Sequence, residues 1–211
     1  MAKSKHNRKG KTRSHLRSHF RAGRPQGPGE GSRHLKLFNI EIHGRPVGNL
    51  DPKVEPLLAK SLEYLHRGNG AEGEKLLRLA IEIDPDNPTL LNNLAKALGM
   101  QAKRSAAEAL TYEIHRRFPD YLFGRTNLAL ILIEKGEYDQ AKELLKPLLE
   151  RKRLHFAEFS AVAAMHVKLA LAKGRRDDAE HWLDMMKQVD LEDPNLLILQ
   201  AQMNLSLGDL L

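Results

Sequence analysis

The segment Asn92 to Leu98 reads Asn-Asn-Leu-Ala-Lys-Ala-Leu, and its pattern of amide, apolar and small positions returns as Thr-Asn-Leu-Ala-Leu-Ile-Leu at Thr126 to Leu132. Asn93 and Asn127, Leu94 and Leu128, Ala95 and Ala129, and Leu98 and Leu132 each stand 34 residues apart. Pro85 and Pro119, and Ala107 and Ala141, keep the same interval. Between these landmarks the apolar residues recur at helical spacing, as Leu76, Leu77, Ala80 and Ile81 do, and Gly or Pro interrupts them. The pattern predicts helix pairs at about 51–67 and 72–83, 89–100 and 105–118, 123–135 and 138–150, and 157–173 and 176–189. A single helix follows at about 195–207. A period of this length is the signature of antiparallel helix pairs stacked into a solenoid.

The step slips once. Gly136 to Gly174 and Ala141 to Ala179 are both 38 residues, and the four extra positions fall most simply in Arg151 to His155. At the other end, His34 to Val47 is the one strand-like stretch, with His43-Gly44-Arg45-Pro46 reading as its turn. A two-stranded hairpin is marginal alone, so this stretch is expected to pack against the first helices. Met1 to Ser32 carries only Leu16 and Phe20 as large apolar side chains after the initiator Met. That is too little burial to offset about 1–2 kcal/mol of backbone entropy per ordered residue. The organisation expected is a disordered basic arm at 1–33, an extended or hairpin-like linker at 34–52, and a helical-repeat domain at 53–211. Its repeats fall at about 54–87, 88–121, 122–156 and 157–193, with half a repeat at 194–211.

The small residues at the helix crossings, Leu94-Ala95 with Ala107 and Pro119 and then Leu128-Ala129 with Ala141, resemble the tetratricopeptide repeat. The resemblance covers about Lys53 to the C-terminus and is strongest over Leu90 to Lys146; Gly73 departs from it, standing where the pattern has Ala. It implies an all-α, right-handed helical-repeat solenoid of about four helix pairs plus a terminal helix. It also implies a concave groove lined by the first helix of each pair. The groove-facing positions would be Leu58 and Leu62, then Thr89, Asn92, Asn93, Lys96 and Met100, then Phe123, Thr126, Asn127, Leu130 and Glu134, then Met165 and Lys168. Of these, Asn92, Asn93, Lys96, Met100, Phe123, Asn127, Leu130 and Lys168 are the candidate contacts to a protein partner. An amide side chain offers donors and an acceptor together, so Asn93 and Asn127, one repeat apart, suit the backbone of an extended peptide. A chaperone-tail carboxylate is a poor fit, because Leu58, Leu62, Phe123, Ala161 and Met165 stand where basic or polar groups would be wanted.

Charge changes this picture at the front of the chain. Eleven of the 34 Lys and Arg, but only Glu30 of the 27 acidic residues, fall in residues 1–36, a balance of +10 against −3 for the remainder. Lys3, Lys5, Arg8, Lys9, Lys11, Arg13, Arg17, Arg21 and Arg24 are therefore candidate contacts to nucleic acid, through phosphate neutralisation and counterion release. A mitochondrial presequence would be amphipathic, and this arm has almost no apolar face. The chain has no Cys, which excludes disulfides, thiolate metal sites and a Cys nucleophile. No apolar run approaches the ~18 residues of a membrane span, and a cytoplasmic location is expected.

Catalysis finds little footing. Gly10-Lys11-Thr12 resembles the end of a phosphate loop, but the earlier Gly would fall at Lys5. His15 and His19 have i, i+4 spacing without a third ligand. His66, His115, His155, His166 and His181 are scattered on helices without carboxylates in motif spacing. No catalytic residue, metal ligand or cofactor is assigned. The sequence points to a non-enzymatic scaffold that holds a protein partner in its groove while the arm contacts RNA or a ribosome. One alternative makes the arm the main binding site of an RNA- or ribosome-associated factor; another makes the chain an accessory subunit of a separate enzyme. The final helix carries Leu196, Leu199, Met203 and Leu207 on one stripe, while Leu197, Ile198, Ala201 and Leu205 spread round it. One stripe can pack on the fourth pair, so Leu197 and Leu205 are candidate contacts of a homodimer.

Overall fold

The computed structural model describes residues 35–37, 40–43 and 51–206, all within the unit spanning Ser32 to Leu211. The basic arm, most of the linker and Leu207 lie outside the described residues. The helices are α1 (Glu55–His66), α2 (Gly70–Ile83), α3 (Pro88–Met100), α4 (Arg104–Arg117), α5 (Leu122–Glu134), α6 (Tyr138–Leu145), α7 (Phe156–Ala172), α8 (Arg176–Val189) and α9 (Pro194–Ser206). Consecutive helices pack on one another, and α5 also packs on α7 and α7 on α9, so first helices stack directly from repeat to repeat. The expected helical-repeat solenoid of four pairs and a closing helix is the architecture found.

Local chemistry sets the boundaries. Asn87 caps α3, its side chain accepting from the Thr89 and Leu90 amides, with Pro88 in the first turn where a missing N–H costs nothing. Each pair turns through one residue of positive φ: Gly68 at 78°, Ala102 at 59°, Gly136 at 79° and Gly174 at 67°. All four turns repeat the same two bonds. The positive-φ residue donates to the carbonyl three back, and the next residue donates to the carbonyl five back, as in Asn69 to Tyr64 and Glu137 to Leu132 at 2.8 Å.

Small residues do the work at the crossings. Ala129 is fully buried, and a side-chain carbon added to Gly70 would lie 2.7 Å from the Ala97 carbonyl oxygen, which brings α2 hard against α3. Gly73, the departure from the repeat pattern, is explained the same way: its missing carbon makes room for Leu65 of α1.

The third pair ends earlier than the apolar pattern suggests. Instead of running to about residue 150, α6 stops at Leu145, and Lys146–Leu148 forms a 3-10 turn around Pro147. Proline has no N–H to donate and its ring crowds the carbonyl four residues back.

The inserted length contains a three-residue strand. β3 (Arg153–His155) pairs in parallel with β2 (Ile40–His43), which pairs antiparallel with β1 (Leu35–Leu37). The register is Leu35 opposite Ile42 opposite Leu154. The antiparallel register pairs Leu37 with Ile40, and the turn expected at His43 to Pro46 falls, after His43, outside the described residues. One expectation is corrected here. The hairpin joins the fourth repeat, not the first helices, because β3 offers it unpaired backbone groups and a core. Ile42 is fully buried in a cluster with Leu154 and residues of α5 to α9. A second cluster, with Leu58, Leu65, Leu77, Leu90 and Leu98, holds the first two pairs. Each buried Leu contributes about 1.5–3 kcal/mol.

Candidate binding groove

First helices stacked side by side leave their outward residues lining one trough of about 1240 Å³. Thr89, Asn92, Asn93 and Lys96 come from α3, Phe123, Asn127, Leu130 and Glu134 from α5, and Phe156, Ser160, Ala161 and Met165 from α7. His66 closes one end and Asn195 the other. The floor is polar over α3 and apolar where Phe123, Leu130, Phe156 and Met165 meet. Tyr121 adds an aromatic wall, edge-on to Phe123 at 5.8 Å. Its hydroxyl, bonded to the Thr89 side chain, is pushed above its usual pKa by burial.

The asparagines are partly committed. Asn127 Nδ2 donates to Asn92 Oδ1 at 2.7 Å, across the α3–α5 junction. Asn93 Nδ2 donates to the Thr89 carbonyl within its own helix at 2.9 Å. The inter-repeat pair is therefore Asn92 with Asn127, leaving Asn92 Nδ2 and Asn127 Oδ1 as a donor and an acceptor side by side. Neighbouring first helices are tied in the same way further on: Asn195 Nδ2 donates to Ser160 Oγ at 3.0 Å and Lys168 Nζ to Gln202 Oε1 at 3.2 Å.

Six of the eight candidate partner contacts, Asn92, Asn93, Lys96, Phe123, Asn127 and Leu130, line the trough. Met100 and Lys168 do not: Met100 is exposed at the end of α3 beside Gly70, and Lys168 reaches α9. Leu58, read as groove-facing, is in the core, and Leu62 packs half-buried against it. The first pair meets the trough only through His66, because its first helix spends its apolar face on α2. At the rim, Arg104 bridges Glu134 at 2.7 Å and Glu108 at 3.1 Å, and Lys135 joins Glu108 at 2.9 Å. Sequence reasoning missed Tyr121 and Phe156, which flank helix starts where helical periodicity gives no signal. It also missed His155, whose Nδ1 accepts from the Ala157 amide while its own amide donates to Glu158, boxing the start of α7.

The remaining histidines do not converge. His166 stacks on Trp182, rings 4.4 Å apart and 10° from parallel, with Nε2 buried and unbonded. Burial, with Arg175 nearby, pushes its pKa down to about 4, so it packs as a neutral ring at pH 7. Among the described residues no three acidic or His side chains are grouped to hold a metal ion, and no helix is long and apolar enough to cross a membrane. Lys3 to Arg24 lie outside the described residues. On α9, Leu196 and Leu199 are buried whereas Leu197 and Leu205 are 69% and 58% exposed.

No protein-family model matches the chain, and no curated protein does. Solved structures do. Pseudomonas aeruginosa pilF superimposes with a TM-score of 0.57 at 18% identity, over 74% of this chain and 69% of that one. A Podospora anserina chain of nearly identical TPR-like repeats gives 0.51 at 16% identity, over 77% and 91%. At such identities the likeness is one of fold.

Proposed function

We propose that this chain, whose fold is that of the tetratricopeptide repeat, is a non-enzymatic scaffold holding an extended segment of another protein in its trough. The Asn92–Asn127 pair carries the reading. Its uncommitted donor and acceptor match the C=O and N–H of a peptide backbone, whatever that peptide's sequence. The adjoining Phe123, Leu130, Phe156 and Met165 would take one apolar side chain of the same peptide, the anchor-in-pocket arrangement that dominates binding energy. Lys96, which has no ion-pair partner among the described residues, would favour an acidic residue beside it.

The test replaces both amides at once, Asn92→Ala with Asn127→Ala, so that neither is left facing an unpaired partner. A partner recovered with the full-length protein should bind the variant at least tenfold more weakly, with the melting temperature nearly unchanged. A variant that melts markedly earlier and yet binds normally when folded would make these residues structural and end the reading.

The +10 balance of residues 1–36 supports a second contact, from the arm to RNA or a ribosome in the cytoplasm. Such binding should be tolerant of sequence and weaken steeply with salt.

A further inference from the structure

The trough carries opposite charges at its two ends. Its histidines apart, the charged residues that line it are Lys96, Arg104, Glu108, Glu134, Asp190 and Asp193. Three of these satisfy one another: Arg104 bridges Glu134 and Glu108, and Lys135 balances the second carboxylate. Lys96 of α3 is exposed and has no ion-pair partner among the described residues. At the far end Asp190, the residue that closes α8, is exposed and likewise unpaired among them; its Oδ1 accepts from the Glu192 amide at 3.0 Å. Asp193 is buried, its Oδ1 accepting from the Asn195 amide at 2.9 Å at the start of α9. Between the two ends, no residue that α7 turns to the trough is charged, and α5 contributes Glu134 alone, already bridged.

The stack sets how far apart the two ends lie. First helices α3, α5, α7 and α9 are successive neighbours, and packed helices lie about 8–10 Å apart, axis to axis. Three such steps separate Lys96 from the start of α9 by roughly 25–30 Å. An extended chain advances about 3.3 Å per residue, so about eight residues span that length.

We propose that the segment held in the trough is itself bipolar, with an acidic residue beside Lys96, an apolar residue against Phe123 and Met165, and a Lys or Arg beside Asp190. Its two charges stand about eight residues apart. This inference rests on the peptide-holding reading and gives that peptide a composition. The Asn92–Asn127 pair accepts any backbone, so selectivity comes from side chains. An occupant with its charges exchanged sets like charges together at both ends, and a uniformly acidic or basic one does so at one end. Such juxtapositions are what reject wrong partners. Exposed pairs add little affinity, because water and salt screen them. They choose which way round the segment lies, while the amides and the apolar floor hold it.

A random dodecapeptide library displayed on phage is panned against the full-length protein. Clones are kept only if the Asn92→Ala with Asn127→Ala variant fails to retain them, which discards phage that adhere elsewhere. The kept peptides should carry an acidic and a basic residue on opposite sides of an apolar one. Labelled synthetic copies should bind a Lys96→Glu with Asp190→Lys variant at least about fivefold more weakly. Copies with the acidic and basic residues exchanged should prefer that variant to the wild type by a similar factor. Both substituted side chains are exposed, so the melting temperature should not move. Asp190→Asn, which keeps the acceptor for the Glu192 amide, guards against misfolding and should weaken the kept peptides a few-fold. Kept peptides without this order of charges, or indifferent to the charge variants, would overturn this inference and leave the peptide-holding reading standing. A panning in which no clone depends on the asparagines would overturn that reading, and this inference with it.

Discussion

Ala102 turns the second pair at φ 59°, where the other three pairs use glycine. A side chain in the left-handed region costs roughly 1–2 kcal/mol, partly offset because alanine has less backbone entropy to lose than glycine. Ala102→Gly should therefore raise stability by about 0.5–1 kcal/mol, seen as a melting temperature about 2 °C higher. Gly136→Ala should shift it the other way. The position was legible: Ala102 lies 34 residues after Gly68 and 34 before Gly136. Its identity hid it, because Ala reads as helix and only the repeat register marks it as a turn. The groove asparagines show a similar limit. The register finds Asn93 and Asn127 as equivalents, but the residues that touch are Asn92 and Asn127, 35 apart. Equivalence in a repeat and contact between repeats differ by the offset of one helix along the next.

At the level of elements, every helix was readable from apolar spacing, since its contacts are to helices one or two places away in the chain. β3 was visible only as surplus length, because a three-residue strand has no periodicity and its partner lies far back in the chain. Joints between elements carry polar ties that pattern cannot reveal. Glu74 of α2, its side chain 11% exposed, accepts from Lys103 Nζ at 2.9 Å, from Gln101 Nε2 at 2.7 Å and from Arg78 Nη2 at 2.7 Å. It thus fastens the first pair to the turn of the second. Lys103, with Gln101 and Arg78, holds its pKa down from 4.5 to about 2, against the opposing effect of burial. The unfolded chain binds this proton more readily, so the stabilisation is present above pH 4.5 and lost as pH falls towards 2. Glu74→Gln should cost on the order of 2 kcal/mol at pH 7. In urea titrations the gap between wild type and variant should narrow steadily between pH 5 and pH 3; a gap independent of pH would mean that packing, not charge, is what Glu74 supplies.

For the whole molecule, the two ends of the solenoid are unlike. The first helix turns charged residues such as Glu55, Lys60 and Glu63 to water. The last helix contains no charged residue and exposes Leu197, Ile198 and Leu205 at 69%, 56% and 58%. End-to-end stacking of copies would set that apolar face on a charged one, whereas a two-fold pairing sets it on itself. Sedimentation of the full-length protein is expected to show a concentration-dependent dimer. Leu197→Glu with Leu205→Glu should return it to monomer with its melting temperature intact; a wild-type protein that is monomeric throughout the micromolar range would dismiss the pairing.

The strand that interrupts the repeat also sets a timetable. Helix–helix contacts in the stack join residues within one or two repeats, so pairs can form as the chain lengthens. Glu41 meets Arg153 across 112 positions, the difference of their numbers, and loops of that size are entropically slow to close. On a ribosome, synthesis runs from the N-terminus, so β2 emerges long before its partner does. The first strands to be made are thus among the last segments to be captured, after the third and fourth repeats have built the shelf that receives them.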